Sequence, residues 1–142
     1  MEKFIDRDSY VLIQPDPHNH TIDVTWQYLV FYRNEAGKRS CFIPAFNIFF
    51  SAADEKAMDM KAEAFTKMHM DHFVLHTKGG IKALAMQLHK LGFKAKDDAM
   101  TLKRIFNNQI AKTKFNALAV PTPSSFSESK AVHHKKEFAL AD

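Results

Sequence analysis

Three histidines stand at helical spacing near the middle of the chain: His69, His72 and His76. Spacings of three and four residues place side chains on one helix face, and imidazole is a common ligand of zinc and iron. A single helix nevertheless holds the first and last of them about 10.5 Å apart, whereas tetrahedral coordination needs converging donors. We expect no metal bound by all three, and a metal-binding enzyme or sensor on this face is the alternative function.

A second group of chemically capable residues is a basic segment, residues 78–114. It holds nine lysine and arginine residues against Asp97 and Asp98, which leaves the rest of this +4 chain slightly acidic. Clustered cations release counterions when they neutralise phosphates, so this asymmetry is typical of chains that contact nucleic acid or an acidic protein. The residues expected to make the contact are Lys82, Lys103, Arg104, Asn107 and Asn108.

A predicted helix over residues 98–111 carries most of these side chains on the polar face opposite its apolar stripe. Arginine and asparagine are suited to the purine edges of the major groove, so a helix-turn-helix with the preceding helix is conceivable. The intervening residues 92–97 are longer than the three- or four-residue turn of that motif. We therefore favour a solvated basic helix face as the explanation of these side chains, with specific DNA recognition as the alternative.

The sequence contains no recognisable catalytic or cofactor-binding motif, and we expect no bound cofactor and no catalytic residues. Four glycines form neither a phosphate-binding loop nor a dinucleotide fingerprint, and no serine elbow occurs. The single cysteine, Cys41, excludes a disulfide framework and fits a reducing cytosol. Acidic residues near the amino terminus argue against a signal peptide, and no apolar run is long enough to cross a membrane.

The residue pattern of the first half of the chain predicts β-strands. Residues 9–14, 21–33 and 40–50 are rich in β-branched and aromatic side chains, and turn-forming residues separate them. Pro44 directs the third strand towards an edge or a bulge, because proline cannot donate to the ladder. The phenylalanines of this strand lack interleaved cations, so core packing explains them better than a stacking platform for single-stranded nucleic acid.

The second half changes to helical periodicity. Ser51 is a candidate N-cap of a helix of about five turns, and two shorter helices follow over residues 81–91 and 98–111. A last strand is expected over residues 115–120. Residues 121–142 begin with prolines and serines and show no sustained period, which indicates a flexible tail after one domain of residues 1–120, sheet-rich to residue 50 and helical from 51 to 112.

The stretch Cys41-Phe42-Ile43-Pro44-Ala45-Phe46, followed by a helix that opens with Ser51-Ala52-Ala53-Asp54-Glu55, resembles the HicB-like antitoxins over about residues 9–76. The resemblance implies a partial ribonuclease-H-like βββα unit without catalysis, a small DNA-binding module after it, and a toxin protein as partner.

Together these observations predict an α+β fold: a three-stranded, mainly antiparallel sheet covered by a long helix, followed by two shorter helices and a last strand. The expected function is that of a non-enzymatic, cytoplasmic binding or regulatory protein, away from membranes, whose basic surface contacts nucleic acid or an acidic protein. The residues expected in the core are Trp26, Phe31, Phe46, Met60, Ala64, Met68, Leu84 and Leu88.

Overall fold

A strongly curved antiparallel sheet and three helices make up the part of the chain that the computed structural model describes, residues 4–5, 9–77, 80–117, 120–121, 125–126 and 128–139. The strands are β1 (Phe4–Ile5), β2 (Tyr10–Asp16), β3 (Thr21–Glu35), β4 (Lys38–Ile43), β5 (Ile48–Ala52), β6 (Phe93–Ala95), β7 (Thr113–Ala117), β8 (Val120–Pro121) and β9 (Glu128–Ala139). The helices are α1 (Glu55–Leu75), α2 (Ile81–Lys90) and α3 (Asp98–Phe106). None of these three helices is both long and apolar enough to cross a membrane.

The fold is α+β, but the prediction of a three-stranded sheet is wrong. Seven of the described strands form one sheet that curls into a half-barrel, and β1 pairs with β8 in a separate ribbon. The long strand β3 is central: β9 pairs along it from Thr21 to Tyr32, so β2 and β4 share its opposite edge. β5 then pairs with β4, β7 with β2, and β6 with β7.

The sheet is larger than expected for two reasons. The predicted strand over residues 40–50 is two strands, β4 and β5, separated by a 3₁₀ turn at Pro44–Phe46, and two unpredicted strands, β6 and β9, lie outside the β-rich first half of the sequence. β6 has only three residues and lies between α2 and α3, where glycine and lysine obscure any strand pattern. β9 is rich in charged residues and histidine, with scattered apolar residues, and this composition resembles a solvated segment until its partner is known. Strands this short or this polar are stabilised by the neighbours they pair with and not by their own composition.

β9 also overturns the expectation of a flexible tail for residues 128–139. Its residues pair with twelve consecutive residues of β3, and Phe138, opposite Ile22, is buried. Ionic contacts add to this pairing: Lys130 Nζ lies 2.8 Å from Asp59 Oδ2 and 3.2 Å from Glu55 Oε1, and Lys136 contacts Asp71. The acidic residues on α1 therefore face the lysines of β9.

Burial confirms five of the eight predicted core residues. Trp26, Phe31, Phe46, Leu84 and Leu88 are buried. The other three, all on α1, are exposed: Met60 is 63% exposed, Met68 64%, and Ala64 is also at the surface. The buried face of α1 is instead Met58, Ala62, Thr66 and Met70.

A hydrogen bond explains why α1 turns this other face inward. Trp26 is 1% exposed, and its indole nitrogen donates to Thr66 Oγ1 at 3.0 Å. Thr66 Oγ1 in turn donates to the carbonyl oxygen of Ala62 at 2.8 Å. A buried indole N–H without an acceptor costs about 1–3 kcal/mol, so the face with the hydroxyl packs on the sheet and the more apolar stripe remains outside.

The region between α2 and α3 does not form the short turn of a helix-turn-helix, the motif that the sequence left conceivable. Its residues include β6, which pairs with β7. The following turn is closed by two side chains: Asp98 Oδ1 accepts from the backbone N–H of Ala95 at 3.0 Å, and Thr101 Oγ1 donates to the carbonyl oxygen of Lys96 at 3.1 Å. α3 also ends at Phe106 and does not continue to residue 111 as predicted.

Candidate functional site

A basic concave surface is the cleft of about 390 Å³ between α3 and the strands β6 and β7. Four cations line it, and they come from separate parts of the chain. Lys96 lies in the turn before α3, Arg104 in the last turn of that helix, Lys112 in the loop after it, and Lys114 on β7. Thr101, Gln109 and Asn116 add neutral polar groups.

Local geometry holds these cations around one space. The chain reverses after α3, where the N–H of Gln109 donates to the carbonyl oxygen of Arg104 at 2.8 Å. β7 then pairs with β2 and β6, and this pairing fixes Lys114 on the strand. Ile105, 1% exposed, anchors α3 in the core below the cleft. The cleft therefore depends on the β6–β7 pairing as much as on the helix.

The cleft carries positive charge that no acidic side chain offsets within the described residues. Its lining contains no aspartate or glutamate, and Lys96, Arg104 and Lys112 form no ion pair there. Lys114 Nζ lies 4.6 Å from the ring centroid of Tyr10, a cation–π contact. Solvent-exposed cations that line the same cleft repel one another, and an anion bound among them relieves that repulsion.

The structure separates the five residues predicted to contact a partner. Arg104 lines the cleft, while Lys103 is exposed on the same helix and Asn107 is its C-cap. Lys82 and Asn108 line a different cavity of about 500 Å³, which also borders Phe138. The five residues therefore do not form one contact surface, because α3 is too short to carry the two asparagines on its polar face.

Sequence reasoning left out most of the residues that line the cleft. Lys96, Lys112 and Lys114 were counted in the basic segment but were not singled out, since none of them belongs to a predicted amphipathic helix. The charge run was the only indication of them in the sequence. Their convergence results from the pairing of β6 with β7, which brings together residues about twenty positions apart.

The three candidate metal ligands do not converge. His69 lies between Phe46 and Phe73, with ring centroids 5.3 and 5.0 Å away. Its ring nitrogens are buried without a hydrogen-bond partner among the described residues, and burial lowers its pKa to about 4. His72 and His76 are exposed, and within the described ranges no three His, Cys, Asp or Glu side chains are grouped to hold a metal ion.

A second polar group connects β9 to the core. The Tyr28 hydroxyl is 2.8 Å from His134 Nε2, and His134 Nδ1 is 4.0 Å from Glu63 Oε2. Burial raises the pKa of Tyr28 above its ordinary value and lowers the pKa of His134, so both side chains are neutral near pH 7. A shallow cavity of about 330 Å³ reaches His134 and Glu63, but Tyr28 is not part of its lining. This arrangement positions β9 and offers no open reaction site at the Tyr28 hydroxyl.

An exposed apolar groove of about 440 Å³ lies between β5 and α1. Its lining includes Phe49, which is 67% exposed, together with Phe65, Met68 and His72. The stripe that sequence periodicity assigned to the core contributes Met68 to this surface. The groove lining contains no lysine, arginine, aspartate or glutamate, which distinguishes it from the basic cleft.

Comparisons with known proteins add no family to this description. A scan against protein-family models finds no match, and searches of curated proteins and of solved structures find no significant match.

Proposed function

We propose that this chain is a non-enzymatic binding or regulatory protein whose basic cleft contacts the phosphates of a nucleic acid. One observation carries the proposal: four cations, Lys96, Arg104, Lys112 and Lys114, line a single cleft that contains no acidic side chain. A guanidinium can hold a phosphate through two parallel hydrogen bonds, and flanking ammonium groups add charge without strict geometry. Threonine and amide side chains supply further hydrogen bonds to phosphate or sugar.

A solvated basic face is the simpler explanation of lysines on a helix or in a loop. It explains the cleft less well, because cations that serve only solubility do not need to converge on a concave surface from several elements. The α1–β9 contact is the opposite case: there Lys130 and Lys136 each have a carboxylate partner. The charges of the cleft are thus available for an external anion.

The proposal includes a cytoplasmic location. Its support is limited to the single cysteine, Cys41, which is buried and without a disulfide partner, as is usual for proteins of reducing compartments. The resemblance to HicB-like antitoxins stays a prediction. It would add a toxin protein as a second partner, and its test is separate from that of the cleft.

Nucleic-acid binding is tested with a fluorescently labelled oligonucleotide by anisotropy at a series of salt concentrations. We expect log Kd to depend linearly on log salt, as it does when phosphate contacts release counterions. The double variant Arg104→Ala with Lys112→Ala should bind more weakly and should lower the slope by about 1.4 for a single strand and about 1.8 for a duplex, since two phosphate contacts are lost.

Lys56→Ala is the matched control, because Lys56 is exposed on the first turn of α1, outside the cleft lining. Its binding curve should match that of the wild type. Absence of salt-dependent binding at low ionic strength would refute the proposal. Binding of polyglutamate in preference to any oligonucleotide would also refute it and would assign the cleft to an acidic protein.

A further inference from the structure

The face of the sheet that points away from the helices continues the basic cleft. Side chains alternate between the two faces of a strand, and Val11, Trp26 and Phe115 point into the core. Their neighbours Tyr10 and Asn116 therefore point to the outer face. The outer face includes two residues of the cleft lining, Lys114 and Asn116.

Strand register aligns the outer side chains in rows that cross five adjacent strands. Asn116 pairs with both Lys94 and Tyr10, Tyr10 pairs with Gln27, and Gln27 pairs with His133. From β6 to β9 this first row is Lys94, Asn116, Tyr10, Gln27 and His133. A parallel second row, from β7 to β9, is Lys114, Leu12, Thr25 and Lys135.

Lysines stand at the β6–β7 side of the rows, where Lys94 and Lys114 lie. At the β9 side stand His133 and Lys135, and Lys135 Nζ lies 3.5 Å from Asp23 Oδ2. An aromatic ring, two carboxamides, Leu12 and Thr25 lie between the two sides. A third row lies next to the second and contains two carboxylates. Its residues are Gln14, Asp23 and Glu137, and the two carboxylates mark the limit of the surface at which an anion could bind. With strands about 4.8 Å apart, five strands give a row about 19 Å long.

We propose that the ligand of the basic cleft is single-stranded nucleic acid whose bases lie on this outer face, with Tyr10 as a stacking residue. The inference rests on the proposed function and names its ligand class. Stacking on an aromatic ring and hydrogen bonds from the Asn116 carboxamide need bases that are not already paired and stacked.

Dimensions favour a single strand over a duplex. The major groove is about 12 Å wide and admits a helix or a two-stranded ribbon, but not a row of about 19 Å across five strands. Lys114 now covers one side of the Tyr10 ring at 4.6 Å. A base that stacks on the Tyr10 ring displaces the Lys114 ammonium group towards the adjacent phosphate of the bound strand. The cation–π contact is then replaced by base stacking on Tyr10 and by an ion pair between Lys114 and that phosphate.

Anisotropy with one labelled oligonucleotide, used single-stranded and as its duplex, tests the inference at fixed salt concentration. Wild-type protein should bind the single strand at least about 10-fold more tightly. Tyr10→Leu should weaken single-strand binding about 5- to 150-fold, the range found when one stacking residue is removed, and should leave duplex binding unchanged. Tyr10→Phe keeps the ring and should retain wild-type affinity.

Tyr32→Leu is a close control for Tyr10→Leu. Tyr32 is also half-buried and also lies under a cation, Arg39, at 4.5 Å, but its strand neighbours place it on the helix side of the sheet. Its binding should equal that of the wild type. If Tyr10→Leu does not fold, as judged by circular dichroism, the preference of the wild type for single strand over duplex decides the question.

The failures of the two proposals are distinguishable. Equal affinity for single strand and duplex, or unchanged single-strand binding by folded Tyr10→Leu, would overturn this inference while salt-dependent binding through Arg104 still stands. If the wild-type protein binds neither the single-stranded nor the duplex oligonucleotide at low salt, the proposed function itself is overturned.

Discussion

Replacing Phe138 with alanine tests whether β9 is an integral part of the fold. Phe138 is 3% exposed, pairs with Ile22 on β3 and contributes to the hydrophobic core. Removal of a buried phenylalanine ring costs the transfer free energy of its carbons plus the free energy of the cavity left behind, about 3–5 kcal/mol in total. Because Phe138 also borders a cavity of about 500 Å³, its surroundings can relax, and we expect the lower end, about 3 kcal/mol.

The matched control is Phe49→Ala, the same chemical change at a ring that is 67% exposed. Little of this ring leaves water on folding, so the expected loss is below about 1 kcal/mol. Urea denaturation measures both losses. Trp26, the only tryptophan of the chain, lies with its ring centroid 5.6 Å from that of His134 on β9, so its fluorescence reports on this strand.

Far-ultraviolet circular dichroism should give the same unfolding midpoint as Trp26 fluorescence, since a single core predicts one transition. If Phe138→Ala loses no more stability than Phe49→Ala, β9 does not pack against the core, and the earlier expectation of a flexible tail would hold for residues 128–139. A loss of about 3 kcal/mol is large against the 5–15 kcal/mol typical of a domain, so the result is readily resolved.

Two further predictions concern the polar groups of the core. Thr66→Val removes the acceptor of the Trp26 indole N–H and should lower the free energy of unfolding by about 1–3 kcal/mol in urea titrations, and a loss below about 0.5 kcal/mol would contradict the role given to this bond. His69 has a pKa lowered to about 4 from its ordinary 6.5, mainly by burial and secondarily by nearby His72, so below pH 6.5 the unfolded chain binds a proton that the folded chain excludes. Stability should therefore be retained above pH 6.5 and fall as the pH falls towards 4, with a shallower fall in His69→Leu; parallel stability–pH profiles for the two proteins would refute this.

Local sequence patterns were enough to predict the central elements. Alternating β-branched and aromatic residues placed the long strand, observed as Thr21–Glu35, and its hairpin with Lys38–Ile43. Helical spacing of apolar residues placed α1 and α2. These elements depend on backbone propensity and on periodic burial, both of which can be read from neighbouring residues.

The sequence also determined the basic charge of residues 78–114, but not which cations share a surface. Lys96 and Lys114 are eighteen positions apart in the chain, and they line one cleft only because β6 and β7 pair. Convergence of this kind depends on strand register, which is set by contacts between distant residues and leaves no local pattern.

Two outcomes were decided by tertiary structure alone. On α1, the face with Thr66 is buried and the methionine stripe with Met60 and Met68 is exposed, because the buried Trp26 N–H needs an acceptor that the more apolar stripe does not offer. On β9, the many charged residues suggest a solvated segment until β3 supplies backbone partners and α1 supplies carboxylates for Lys130 and Lys136. Hydrophobicity ranks a residue by its own transfer free energy, whereas burial of a polar group is decided by the partner it meets.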